Sequence, residues 1–118
     1  MESKSFVLAK DFLNKTVDVI IDRPLGSVHP KWNFEYPINY GYIKDVMAPD
    51  GEELDAYVLK VNQSLKEFKG KVIAIIHRFD DDDDKLIVIP SDESITDEEI
   101  EKSVEFQEKF FKHEIYRL

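Results

Sequence analysis

Hydrophobic and polar residues along this 118-residue chain follow a period of two first and a helical period last. Thr16 to Arg23 is β-branched and partly alternating, which predicts a strand. Pro24, Gly26 and Pro30 then impose a loop. Tyr36 to Val46 is aromatic-rich but broken by Pro37 and Gly41, so short strand pieces with bends are expected. After the turn signal Pro49-Asp50-Gly51, residues 55–61 read as a strand. Residues 71–79 are almost continuously apolar, as in a central strand buried on both faces, and Lys85 to Ile89 is a further strand. The five aspartates between these two belong in their connection, because adjacent like charges oppose pairing.

The last element is helical. Thr96 with Glu99 three residues on forms a capping box, and Asp97, Glu98 and Glu99 complement the helix dipole. Ile100, Val104, Gln107 and Phe111 recur at near-helical spacing, with Phe110 widening the stripe, so the helix is expected to run through the segment Phe110 to Ile115. Five strands followed by one helix, without βαβ alternation, predict a mainly β (α+β) fold. The architecture expected is a small closed or partly closed OB-like β-barrel with a C-terminal helix, one domain over 1–118.

Charge changes the picture. With 16 basic and 25 acidic side chains the net charge is −9, concentrated after residue 44, which disfavours nucleic acid as a partner. The absence of cysteine excludes disulfides, thiolate metal sites and a Cys nucleophile. No apolar run approaches the ~20 residues a bilayer requires, and the first 14 residues are broken by charges, so a cytoplasmic protein with no membrane partner is expected. His29, His77 and His113 are scattered, and His77 reads as a core or rim histidine. Trp32 and Phe34 read as core anchors, and Phe106, Phe110 and Phe111 as packing residues.

Two acidic clusters lack a secondary-structure explanation: Asp50-Gly51-Glu52-Glu53-Leu54-Asp55, and Asp80 to Asp84 followed by Lys85. Each is either a solvated turn or a set of hard oxygen ligands for a divalent cation. In context these residues become specific. Tyr36-Pro37-Ile38-Asn39-Tyr40-Gly41-Tyr42, followed by the first cluster and then by Asp83-Asp84-Lys85-Leu86, resembles the soluble family I inorganic pyrophosphatases. Those carry Tyr-Pro-x-Asn-Tyr-Gly, an Asp-x-Asp-Pro-hydrophobic-Asp signature and an Asp-x-Lys strand. The resemblance runs over roughly residues 16–113.

The resemblance implies an enzyme with a five-stranded OB-like barrel that hydrolyses pyrophosphate, or a related small phosphoanhydride, using Mg2+ or alternatively Mn2+. By resemblance, Asp50, Asp55, Asp83 and one of Asp80 to Asp82 (Asp80 being first) ligate metal, and Asp22 is an acid at or behind the metal site. Glu52 takes the general-base position, Lys31 and Lys85 bind phosphate, and Tyr40 donates a hydrogen bond near the nucleophile. Homo-oligomers are common in the family. The chain departs from the pattern in places: Glu52 stands where the family has Asp, and a base displaced by ~1 Å can lose ~10²-fold in rate. Glu53 replaces the signature proline, and the segment between Lys31 and Tyr36 is too short for the strand that supplies a phosphate-binding arginine. Arg23 and Arg78 are the candidates to replace it, and Tyr116-Arg117 the candidate for a displaced Tyr-Lys pair. These departures define the alternative reading, a weakly active or non-catalytic barrel that binds divalent metal and phosphate.

Overall fold

A computed structural model describes residues 4–47, 51, 53–79 and 83–117. Six strands and two helices follow in the order α1 (Lys4–Lys10), β1 (Thr16–Arg23), β2 (Asn39–Met47), β3 (Glu53–Val58), β4 (Glu67–Arg78), β5 (Lys85–Ile89), α2 (Asp97–Glu108) and β6 (His113–Tyr116). The sheet runs β1-β2-β3-β5-β4-β6, and a further antiparallel pairing of β1 with β4 closes β1 to β5 into a barrel. The expected barrel with a helix packed on it is thereby observed.

Closure depends on the length of β4. Its first residues pair with β1 (Thr16 opposite Lys71, Ile20 opposite Glu67), its middle with β5, and its last four with β6. All pairs are antiparallel except β3–β5, which is parallel with Ala56 opposite Leu86 and Val58 opposite Val88. A strand enclosed by neighbours and covered on both faces has no polar side, which explains why Lys85 to Ile89 is buried throughout.

Two apolar layers result. Val17, Val19, Ile43, Leu54, Ala56, Val58, Leu86 and Val88 fill the barrel, closed at one side by Phe6, Ala9 and Leu13 of the α1 region. The alternate residues Tyr57, Ala74, Ile76, Ile87 and Ile89 pack outward against Ile100 and Val104 of α2. Each such fully buried aliphatic side chain contributes ~1.5–3 kcal/mol of transfer free energy.

Three expectations need correction. The helix ends at Glu108 rather than passing through Phe110 to Ile115, and His113–Tyr116 forms an antiparallel strand on β4. A four-residue strand can be recognised only by its partner. Helix α1, with Ser5, Phe6 and Ala9 buried, is too short to show a periodic signal. Trp32 is 67% exposed and anchors no core.

Candidate active site

The outward layer continues past α2 into an open cleft of about 970 Å³. Strand register builds its floor. Because Ala56 lies opposite Leu86 in the parallel pair, Asp55 and Lys85, one residue earlier on each strand, are neighbours on the face that carries Tyr57 and Ile87. On the other side of β3, Tyr40 pairs with Tyr57, and their rings lie 5.0 Å apart. Arg78, two residues beyond Ile76, brings the end of β4 to the same floor.

Lys85 is buried, and its Nζ donates to Asp55 Oδ2 at 2.7 Å and to Asp83 Oδ1 at 2.8 Å. One ammonium thus bridges two carboxylates that are 28 residues apart in sequence. Tyr40 is hydrogen-bonded to Asp55, and burial, then the Asp55 charge, lifts its hydroxyl well above the ordinary tyrosine range, so it remains a proton donor. At the mouth, loss of hydration raises the Asp22 carboxyl above its usual value. Arg23 opposes that rise, while the charges of Asp55 and Glu53 reinforce it.

A second, largely buried network stands beside the first. Arg78 Nε donates to Glu108 Oε1 at 3.0 Å and its Nη2 to Oε2 at 2.7 Å. Tyr57 donates its hydroxyl proton to Glu108 Oε2 at 2.6 Å and accepts from Gln107 Nε2 at 2.7 Å. Burial works against the Arg78 charge, but Glu108 more than offsets it and raises the guanidinium above its ordinary value. Arg78 Nη1 also reaches Asp83 Oδ2 at 3.4 Å, and its guanidinium carbon lies 3.7 Å from the centre of the Phe111 ring.

Of the residues singled out from sequence, Asp22, Tyr40, Asp55, Asp83 and Lys85 all line this cleft. Asp50, Glu52 and Asp80 lie outside the described residues. Lys31 is exposed on the β1–β2 loop with its Nζ 5.0 Å from the Trp32 ring, and it is not among the lining residues. Arg23 and Arg78 both line the cleft. Tyr116 packs edge-on against Phe6, and Arg117 binds Asp97 and the Ile95 carbonyl, so neither substitutes for the Tyr-Lys pair. His77 stacks on Phe6 at 4.1 Å and pairs with Asp84, as a rim histidine should. Asp84 itself turns inward, accepting from Ser5 Oγ and the Arg78 amide.

Sequence reading missed Glu108, Gln107 and Tyr57. Glu108 is one acid among many in an acidic helix, and no periodicity distinguishes it. Asn39 was visible only as part of a motif. Fully buried, it accepts from the Leu25 and Leu65 amides and donates to the Gln63 carbonyl, fixing the start of β2 and hence Tyr40.

Among the described residues, no three His, Cys, Asp or Glu side chains cluster closely enough to hold a metal ion. The donor chemistry nevertheless fits a hard cation. Asp55 and Asp83 converge on one positive charge, now the Lys85 ammonium, and Asp22 adds a carboxyl at the mouth whose charge is disfavoured chiefly by loss of hydration, a cost that a cation would offset.

The chain is similar to known proteins. The inorganic pyrophosphatase family pattern matches residues 14–116. An inorganic pyrophosphatase of Haemophilus influenzae is 31% identical over 101 residues, covering 68% of this chain and 57% of the relative. One from Geobacillus stearothermophilus is 31% identical over 111 residues, covering 74% and 65%. The chain therefore spans roughly three fifths of the length of these relatives. Among solved structures, an inorganic pyrophosphatase from Ehrlichia chaffeensis superposes with a TM-score of 0.68 at 17% identity, covering 89% of this chain and 87% of that one, a likeness of fold. One from Neisseria gonorrhoeae gives 0.58 at 25% identity, covering 75% and 69%.

Proposed function

This chain belongs to the inorganic pyrophosphatase family, and on that footing we propose that it hydrolyses pyrophosphate to two phosphates in this cleft, with magnesium as the preferred metal and manganese as the next candidate. The observation that carries the reading is the Lys85 ammonium bridging Asp55 and Asp83 beside the Tyr40 hydroxyl.

In hydrolysis a water oxygen forms a bond to one phosphorus, the bridging P–O bond breaks, and a proton is released. A bound divalent ion would supply positive charge and an acidified water. Asp55 and Asp83, with Asp22 at the mouth, are the described residues that would hold it, joined by Asp50 and Asp80 on the resemblance. The remaining work belongs to this chain's own groups. Lys85 offers a buried ammonium to phosphoryl oxygens, and Arg78 a guanidinium that Glu108 prevents from swinging away. Such fixed charges need no reorganisation as negative charge develops. Tyr40 keeps its proton and holds the Asp55 carboxylate in one orientation. Glu52 takes the base position on the resemblance, and Lys31 remains a phosphate ligand only if the loop carrying it turns inward.

The test is phosphate release from pyrophosphate with magnesium, compared with Asp55→Asn. Turnover no higher than in that variant would sink the hydrolase reading. The position of Lys31 over Trp32, outside the lining, favours the weakly active or non-catalytic alternative. Saturable magnesium binding by calorimetry without turnover would select it.

A further inference from the structure

Pyrophosphate has no apolar surface, yet the mouth of this cleft is aromatic. Among the described residues, Trp32, Phe110 and Phe111 are three of the seven large hydrophobic side chains left exposed, and all three line it. They arrive from opposite ends of the chain, Trp32 from the β1–β2 loop and the phenylalanines from just beyond α2. Behind them Phe34, Tyr36 and Phe106 form a continuous array, with Phe106 centred 5.9 Å from Phe34 and 5.8 Å from Tyr36. Leaving such surface in water is unfavourable, and clustered exposure of this kind marks a binding site. The cleft volume also lies near the top of the ~300–1,000 Å³ range that holds drug-sized ligands, far beyond what two phosphoryl groups occupy.

Each of these three rings has a cation beside it. Lys31 Nζ lies 5.0 Å from the Trp32 ring centre, Lys109 Nζ 5.2 Å from that of Phe110, and Arg78 Cζ 3.7 Å from that of Phe111. On a chain of net charge −9 these three cations place positive charge at the rim of the cleft. Trp32 is also presented by a built turn. His29 Nδ1 accepts from both the Lys31 and the Trp32 amides at 3.0 Å, and His29 N donates to the Phe34 carbonyl.

We propose that the cleft binds a single nucleoside 5′-polyphosphate, its base against the Trp32–Phe110–Phe111 wall and its phosphates toward Lys85 and Arg78. The phosphate end rests on the hydrolase reading, whereas the aromatic end stands on residues that reading does not use. A nucleic-acid strand is a poor occupant, since its flanking phosphates would meet the acidic surface.

Trp32 is the only tryptophan, so its emission reports on the wall directly. The full chain is titrated with magnesium-ATP, magnesium-pyrophosphate and adenosine, with correction for absorbance. ATP should quench Trp32 saturably, with a Kd on the order of tenfold below that of pyrophosphate. Phe110→Ala should weaken ATP on the order of tenfold, and by a larger factor than it weakens pyrophosphate. ATP affinity no better than that of pyrophosphate, or equal losses in the variant, would overturn the proposal. So would Trp32 emission that changes with protein concentration in the absence of ligand, because a second copy would then cover the wall. Pyrophosphate turnover without ATP quenching overturns this proposal and leaves the hydrolase reading intact. ATP-selective quenching without pyrophosphate turnover supports it and sinks the hydrolase reading.

Discussion

Glu108 grips Arg78 with both carboxylate oxygens, at 3.0 and 2.7 Å, and neither side chain is more than 4% exposed. The pair joins the end of α2 to the end of β4 across 30 residues of sequence, and Tyr57 ties it to β3. Removing one partner of such a pair strands a charge in the interior. Glu108→Ala should therefore cost about 3–5 kcal/mol in urea unfolding, whereas Glu108→Gln, which keeps the shape and one acceptor, should cost less. An alanine variant within about 1 kcal/mol of the parent would show that the pair is dispensable.

Lys85 is the positive charge that allows Asp55 and Asp83 to approach one another. Lys85→Met leaves two facing carboxylates uncompensated. Melting temperature should fall in metal-free buffer and recover partly with magnesium, while phosphate release should drop by ~10²-fold or more. Near-parental turnover would remove Lys85 from the phosphate site.

His113 begins β6 and pairs with Glu101 of α2 at 2.6 Å. Burial lowers its proton affinity, but the Phe111 carbonyl and Glu101 prevail, and the pKa stands above the ordinary histidine value. A raised folded-state pKa contributes stability that is complete below the unfolded value of ~6.5 and is lost as pH rises through the folded value. Thermal melts from pH 6 to 9 should show a decline that His113→Gln flattens. Identical slopes in parent and variant would contradict the assignment.

Gly41 sits between Tyr40 and Tyr42, where a Cβ would come within 1.9 Å of the Ile20 carbonyl oxygen and 2.9 Å of Ile21 Cα. These are backbone atoms of β1, so the strands themselves must part. Gly41→Ala should destabilise by at least the ~1–3 kcal/mol typical of overpacking, and should disturb Tyr40 next to it. Unchanged unfolding in denaturant would show that β1 and β2 can separate at no cost.

Much of the fold was legible because it rests on local signals. Thr16–Arg23 and Lys85–Ile89 have the bounds that their β-branched composition predicts, and the Thr96–Glu99 capping box forms as read. The end of the last helix was not legible. Phe110 and Phe111 continue its apolar stripe in sequence, yet they leave the helix to face the cleft, because β4 offers the next residues a strand edge. Trp32 misled for the same reason, since an aromatic residue in a loop looks alike whether it faces a core or a ligand.

What the sequence determined by itself is strands such as β1 and β5, the capped start of α2, the acidic signature and the tyrosine segment, each encoded within a dozen residues. What only the tertiary structure decided is which charges meet: Lys85 between Asp55 and Asp83, Arg78 on Glu108, and Trp32 at the same cleft as Phe110. Those meetings follow from the parallel register of β3 on β5 and from β4 turning from β1 to β6. Register is set by the fit of whole apolar faces in the closed barrel, a sum over contacts distant in sequence that no local pattern carries.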